Sequence, residues 1–204
     1  MKGNISADSS FYLCNAIDLK RIDLLKNYLD IYQFYAGTII LNEEISDILK
    51  EYPEINDKIK RVESKYSEKY NELFKVLSKR NEKHINEDGE YEAIGIAIEL
   101  AIADNLSYLI LDDHSPSNFA KNQIAVKFPE LFGKIVGTVG FIRDSYLKDS
   151  LITRDQCVSH LKSIYQTYLD YQKMGKSKRP CSMDEKFVNK TLLPLIKEVE
   201  NNNE

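Results

Sequence analysis

Acidic residues stand beside short apolar runs at four separated places in the chain: Asp8, the pair Glu43 and Glu44, Glu90 with Glu92, and the pair Asp112 and Asp113. If folding brings such sites together, the carboxylates repel one another, and some must stay protonated or share a cation. An all-oxygen donor set suits a hard divalent ion, and Mg²⁺ or Mn²⁺ keeps several waters for substrate and nucleophile. That arrangement can activate water and hold a phosphate oxygen. Taken singly, each acid has a plainer explanation. Acids in the first turn of a helix stabilise its dipole, and Asp after a strand is ordinary turn chemistry. The chemical reading therefore depends on all four segments reaching one edge.

The elements that must place them alternate along the chain. "NISADSS" reads as a first strand ending at Asp8, and "GTIIL" (Gly37 to Leu41), rich in β-branched residues, as a second. "LSYLIL" (Leu106 to Leu111) and "KIVGTV" (Lys134 to Val139) supply a third and a fourth. Asp57 to Asn81 sets Ile59, Val62, Tyr66, Tyr70, Leu73, Phe74 and Leu77 at helical spacing, which predicts an amphipathic surface helix. Glu90 to Asp104 is apolar almost all round, the pattern of a helix buried against a sheet. Strands alternating with helices predict an α/β fold, a three-layer α/β/α sandwich around a parallel sheet. In such a sheet, sites form beyond the carboxyl ends of the strands. Asp8, Glu43 and Glu44, and Asp112 and Asp113 all follow strands in this reading, and Glu90 and Glu92 open the buried helix.

Capping signals mark later helix starts: Ser115 with Pro116 behind it, "TRDQ" (Thr153 to Gln156) and "SMDE" (Ser182 to Glu185). "MGKSKRP", Met174 to Pro180, reads as a linker to a final helix carrying Val188, Leu192, Leu195, Ile196 and Val199 on one side, which Pro194 should bend or divide. The chain thus divides into residues 1–173, with a helical insertion around 55–85, and residues 174–204, a basic linker and C-terminal helix.

With 28 Lys and Arg against 32 Asp and Glu, the net charge of −4 excludes coating of nucleic acid by bulk electrostatics and leaves room for a local basic face. No apolar stretch is long enough to span a bilayer, so a cytoplasmic protein is expected. Cys14, Cys157 and Cys181 are far apart and odd in number, which reads as thiols in a reducing compartment.

"ADSSFYL", "IILNEEI", "GEYEAIGIAIELA", "LILDDHSPSNFA" and "IVGTVGFI" resemble, in order, the motifs of PIN-domain proteins. The likeness is strongest to the subgroup with a Gly-Glu-x-Glu-Ala-Ile segment followed by a strand ending in Asp-Asp, and it covers Ile5 to Ile164. The resemblance implies a Mg²⁺- or Mn²⁺-dependent ribonuclease with RNA as substrate. It further implies a homo-oligomer, with an antitoxin protein as partner where the protein is a toxin. It makes Asp8 the first metal ligand, Glu44 the second, Glu90 the third and Asp112 or Asp113 the fourth. Ser10 becomes a hydrogen bonder behind the ligands. Glu92 is grouped with it, since at two residues from Glu90 it points to another side of the helix. Two features depart from the family. The span from Glu44 to Glu90 is long, and "HSPSNFA" follows the Asp pair where basic residues are usual.

Grip on RNA is therefore sought in Lys176, Lys178 and Arg179 of the linker, although a charge run is usually a solvated loop. Cys157 and His160 lack an orienting acid and an oxyanion feature, so packing is expected. Lone His84 and His114 read as solvated side chains, and Tyr165, Tyr168 and Tyr171 as packing or interface residues. "GTVG", Gly137 to Gly140, could offer backbone N–H groups to an anion at a helix start.

Overall fold

β1 (Asn4–Ala7) buries Ile5, Ser6 and Ala7 in succession, which requires cover on both faces of the sheet. The computed structural model describes residues 3–62, 69–79, 88–174, 181 and 183–201. In it β1 lies at the centre of a five-stranded sheet ordered β3-β2-β1-β4-β5. β2 is Gln33–Ala36, β3 Ile59–Arg61, β4 Leu106–Ile110 and β5 Ile135–Val136, and every pairing is parallel. All five carboxyl ends therefore share one edge. The expected α/β/α sandwich around a parallel sheet is the architecture found.

The longer helices are α1 (Ser9–Leu13), α2 (Ile22–Ile31), α3 (Ser46–Glu51), α4 (Asn71–Ser78), α5 (Gly89–Ile102), α6 (His114–Phe119), α7 (Thr138–Leu147), α8 (Arg154–Lys173) and α9 (Leu193–Asn201). α5 covers one face, where Ser6 Oγ donates to the Ala93 carbonyl at 2.8 Å. On the other face Phe34, beside Ile5 in the sheet, meets Phe141 of α7, which in turn meets Tyr28 of α2. Phe34 stacks on Phe11 at 5.4 Å between centroids, and Phe141 meets Phe11, Tyr28, Tyr32 and Tyr108 in edge-on or tilted contacts. Each such pair adds about 0.5–1.5 kcal/mol to area burial. Phe141→Ala would remove the shared partner at a cost of about 3–5 kcal/mol.

Several local expectations are corrected. Gly37 to Leu41 is not a strand: β2 ends at Ala36 and Thr38 already begins helical backbone. The cause is remote, for the Glu92 carboxylate accepts the N–H groups of Ile39 and Ile40 at 3.1 and 3.0 Å and caps that turn. The predicted helix from Asp57 to Asn81 instead contains β3, with Ile59 beside Phe34 in the sheet, and then α4. Tyr66 lies outside the described residues. The first strand stops at Ala7, Asp8 caps α1, and Ser9 and Ser10 are helical. Only Ile135 and Val136 of the fourth predicted strand pair, because α7 opens at Thr138.

The capping box at Thr153 and Gln156 is present in full. Asp113, not Ser115, occupies the N-cap of α6, and Asp184 caps Phe187 in the last segment, Ser182 being outside the described residues. Val188, Leu192, Leu195, Ile196 and Val199 are buried, with α9 against α8, and the backbone runs on helically through Leu193, from a π-type turn (Val188–Leu192) into α9. Cys14 and Cys181 form a disulfide, which corrects the reading of these two as thiols. Cys157 is a free, buried thiol. Among the described residues no helix is long and apolar enough to cross a membrane.

Candidate functional site: an acidic rim at the carboxyl edge of the sheet

In the order β3-β2-β1-β4-β5 the chain changes direction of growth between β1 and β4. The loops leaving those strands diverge and leave a crevice. Asp8 follows β1 and Asp112 follows β4, so both stand at this point. Asp8 is 1% exposed. Its Oδ2 accepts the Asp112 N–H at 3.3 Å and its Oδ1 accepts the Phe11 N–H at 3.4 Å. Burial raises its pKa well above the ordinary Asp value, Asp112 and Glu90 add repulsion, and the two N–H groups oppose the rise.

Asp112 is held by α7. Thr138 donates its backbone N–H to Oδ1 at 2.7 Å and its hydroxyl to Oδ2 at 2.5 Å. Gly137 leaves room, since a Cβ there would come within 3.0 Å of Asp112 Oδ1. Burial nevertheless pushes the Asp112 carboxyl up to about 6, against the Thr138 bonds and with Asp113 adding repulsion. "GTVG" thus does place a backbone N–H on an anion, and the anion is the protein's own Asp112.

Glu44, at the end of the helical turn after β2, accepts the Gly89 N–H at 3.1 Å through Oε1. A side chain at Gly89 would strike the Glu44 carboxylate, which accounts for glycine at the head of α5. Glu44 Oε2 is buried and has no hydrogen-bond partner among the described residues. Burial raises the Glu44 pKa, the Ser9 hydroxyl and Gly89 N–H lower it, and Glu92 and Asp88 raise it. Burial also raises that of Glu90, with repulsion from Glu44, Asp88 and Asp113. Through these pairwise repulsions Asp8, Glu44, Glu90, Asp112 and Asp113 are linked electrostatic neighbours.

Glu92 is fully buried and caps Ile39 and Ile40. Ser9, next to the expected Ser10, is the serine whose hydroxyl lowers the Glu44 pKa. Glu43 is exposed. Lys176, Lys178, Arg179 and His84 lie outside the described residues. His160 is buried beside Tyr28, with burial holding its pKa down to about 3, and burial pushes the Cys157 thiol up to about 12. Both are packing residues. Tyr168 is buried, Tyr165 packs against the core and Tyr171 reaches Asp18. Thr138 and Ser9 were missed as site residues; the capping potential of "GTVG" was the available signal for the first.

A hard cation fits the donor chemistry of the rim: every group is a carboxylate, and one buried oxygen, Glu44 Oε2, lacks a partner among the described residues. As the side chains stand, no three His, Cys, Asp or Glu among the described residues form a group placed to hold a metal ion. No family model, curated protein or solved structure matches the chain.

Proposed function

We propose that the protein is a metal-dependent endoribonuclease of the PIN type, hydrolysing RNA phosphodiester bonds at the acidic rim. The observation that carries this reading is the meeting of Asp8 and Asp112 at the β1/β4 crevice, where Asp8 Oδ2 accepts the Asp112 N–H at 3.3 Å and Asp112 and Glu90 both repel the Asp8 carboxylate. The ordered motifs of the sequence support it. Asp8, Glu44, Glu90 and Asp112 or Asp113 would hold Mg²⁺ or Mn²⁺. Such an ion, when bound, supplies charge for the phosphoryl group and acidity for water.

The chain's own residues perform three tasks. Thr138 pins both oxygens of Asp112, and the N–H groups of Phe11 and Asp112 fix Asp8, so these carboxylates are oriented before substrate arrives. Glu44 Oε2, buried and without a partner among the described residues, is the oxygen placed to accept a proton or a ligand. Burial disfavours the charge on Asp112, so this carboxylate would gain from a cation held beside it. If the protein is a toxin, a small partner protein encoded next to it would serve as antitoxin.

The test is single-turnover cleavage of a structured and a single-stranded RNA, with Mn²⁺ or EDTA, by wild type and Asp8→Asn. Metal-dependent cutting that Asp8→Asn lowers by orders of magnitude, with RNA binding much less affected, is expected. Absence of a metal-dependent cut, or equal cutting by Asp8→Asn, removes the hydrolase and leaves a non-catalytic RNA-binding or scaffold module. A nucleotide-monoester arm exposes a small-substrate phosphatase.

A further inference from the structure

Beside the rim lies a pocket of about 370 Å³. It begins where the acids end: α6 supplies His114 directly after Asp112 and Asp113, and α5 supplies Tyr91 directly after Glu90. Tyr91 and Phe119 form an apolar floor, their rings 5.5 Å apart and almost wholly buried. Asn118, Asn122 and Gln123 add carboxamides to the wall. Among the described residues lining it there is no Lys, Arg, Asp or Glu.

Those groups select a chemistry. A phosphate would find no Lys or Arg among the described lining residues, and an aliphatic ligand would leave the carboxamides unmatched. A carboxamide presents donor and acceptor in one plane, which matches the edge of a nucleobase, and unpaired RNA bases are recognised in this way. Asn118 Nδ2 lies 2.8 Å from His114 Nε2, so that pair is already ordered. Asn122 and Gln123 have no side-chain partner among the described residues. The volume lies near the lower end of the range of about 300–1,000 Å³ for ligand pockets, which suits one nucleoside.

We propose that this pocket receives a single unpaired nucleobase of the RNA whose phosphodiester lies at the rim. The placement next to the scissile bond rests on the nuclease reading; the capacity to bind a base does not. The experiment is therefore a metal-free titration of isotope-labelled protein, in EDTA, with AMP, CMP, GMP, UMP and ribose 5-phosphate, followed by NMR. At least one nucleotide should shift the side-chain amide signals of Asn122 and Gln123, ribose 5-phosphate should not, and a single-stranded oligonucleotide of the same base should compete. The Asn122→Ala/Gln123→Ala variant should weaken that binding about three- to tenfold, with an unchanged melting curve. No shift at millimolar concentrations of any nucleotide, or equal shifts with ribose 5-phosphate, overturns the proposal. Binding of mononucleotides that the oligonucleotide fails to displace assigns the pocket to a free nucleotide and overturns the RNA subsite. Base-dependent shifts in a protein that cuts no RNA sink the nuclease reading and leave base recognition standing.

Discussion

Asp112→Asn is the substitution that tests the electrostatics of the rim most directly. Asn has the same shape, can accept the Thr138 N–H through its oxygen and can donate to the Thr138 hydroxyl, so both contacts made by Asp112 can survive. What disappears is a charge that the fold disfavours. A carboxyl raised from 3.8 to about 6 has a stability contribution fully present below pH 3.8 and lost as pH rises through about 6. Above that window the cost is about 3 kcal/mol at most, and partial exposure to solvent reduces it to about 2 kcal/mol. The raised pKa values of Asp8, Glu44 and Glu90 act with the same sign. In EDTA at pH 8, Asp112→Asn should therefore be more stable than wild type by about 2 kcal/mol, or about 4–8 °C in Tm. Between pH 4 and 7 its stability should fall less steeply. Urea unfolding across that range measures both, and Mn²⁺ should then raise the Tm of wild type more than that of the variant. A variant less stable than wild type at pH 8, or a pH profile parallel to it, would refute the reasoning.

Three further outcomes are expected. The Cys14–Cys181 disulfide spans 167 residues, for which chain entropy alone gives about 5 kcal/mol, so dithiothreitol should lower the Tm of wild type but not of Cys14→Ser/Cys181→Ser; identical wild-type melting with and without reductant would contradict the bond. Glu92→Gln leaves one acceptor for two N–H groups and should cost about 1–3 kcal/mol in urea, whereas unchanged stability would show that the cap at Ile39 and Ile40 is dispensable. Neutralising Lys176, Lys178 and Arg179 together should weaken binding of single-stranded RNA and flatten the slope of log K against log salt by about 2, with little effect on saturated turnover. An unchanged slope removes that segment from the interface.

What the sequence by itself determined is whatever closes its bonds locally. The run from Glu90 to Asp104 could be read as a buried helix, and α5 is there, because a helix satisfies its own backbone at i and i+4 and apolar residues on every side demand burial. The Thr153 and Gln156 capping box and the apolar side of the last helix were legible for the same reason. Short strands are different, since their hydrogen bonds belong to partners elsewhere. β3 was hidden inside a helical pattern, and Gly37 to Leu41 had strand-like composition until Glu92, some fifty residues away, supplied acceptors for a helical turn. The site divides along the same line. That Asp8 and Asp112 follow strands could be read from their neighbours, as could glycine before Glu90. That β1 and β4 are adjacent, that Thr138 holds Asp112, that Gly89 holds Glu44, and that Cys14 meets Cys181 were decided only by tertiary structure. Each joins groups far apart in the chain, and no local preference selects one distant partner over another.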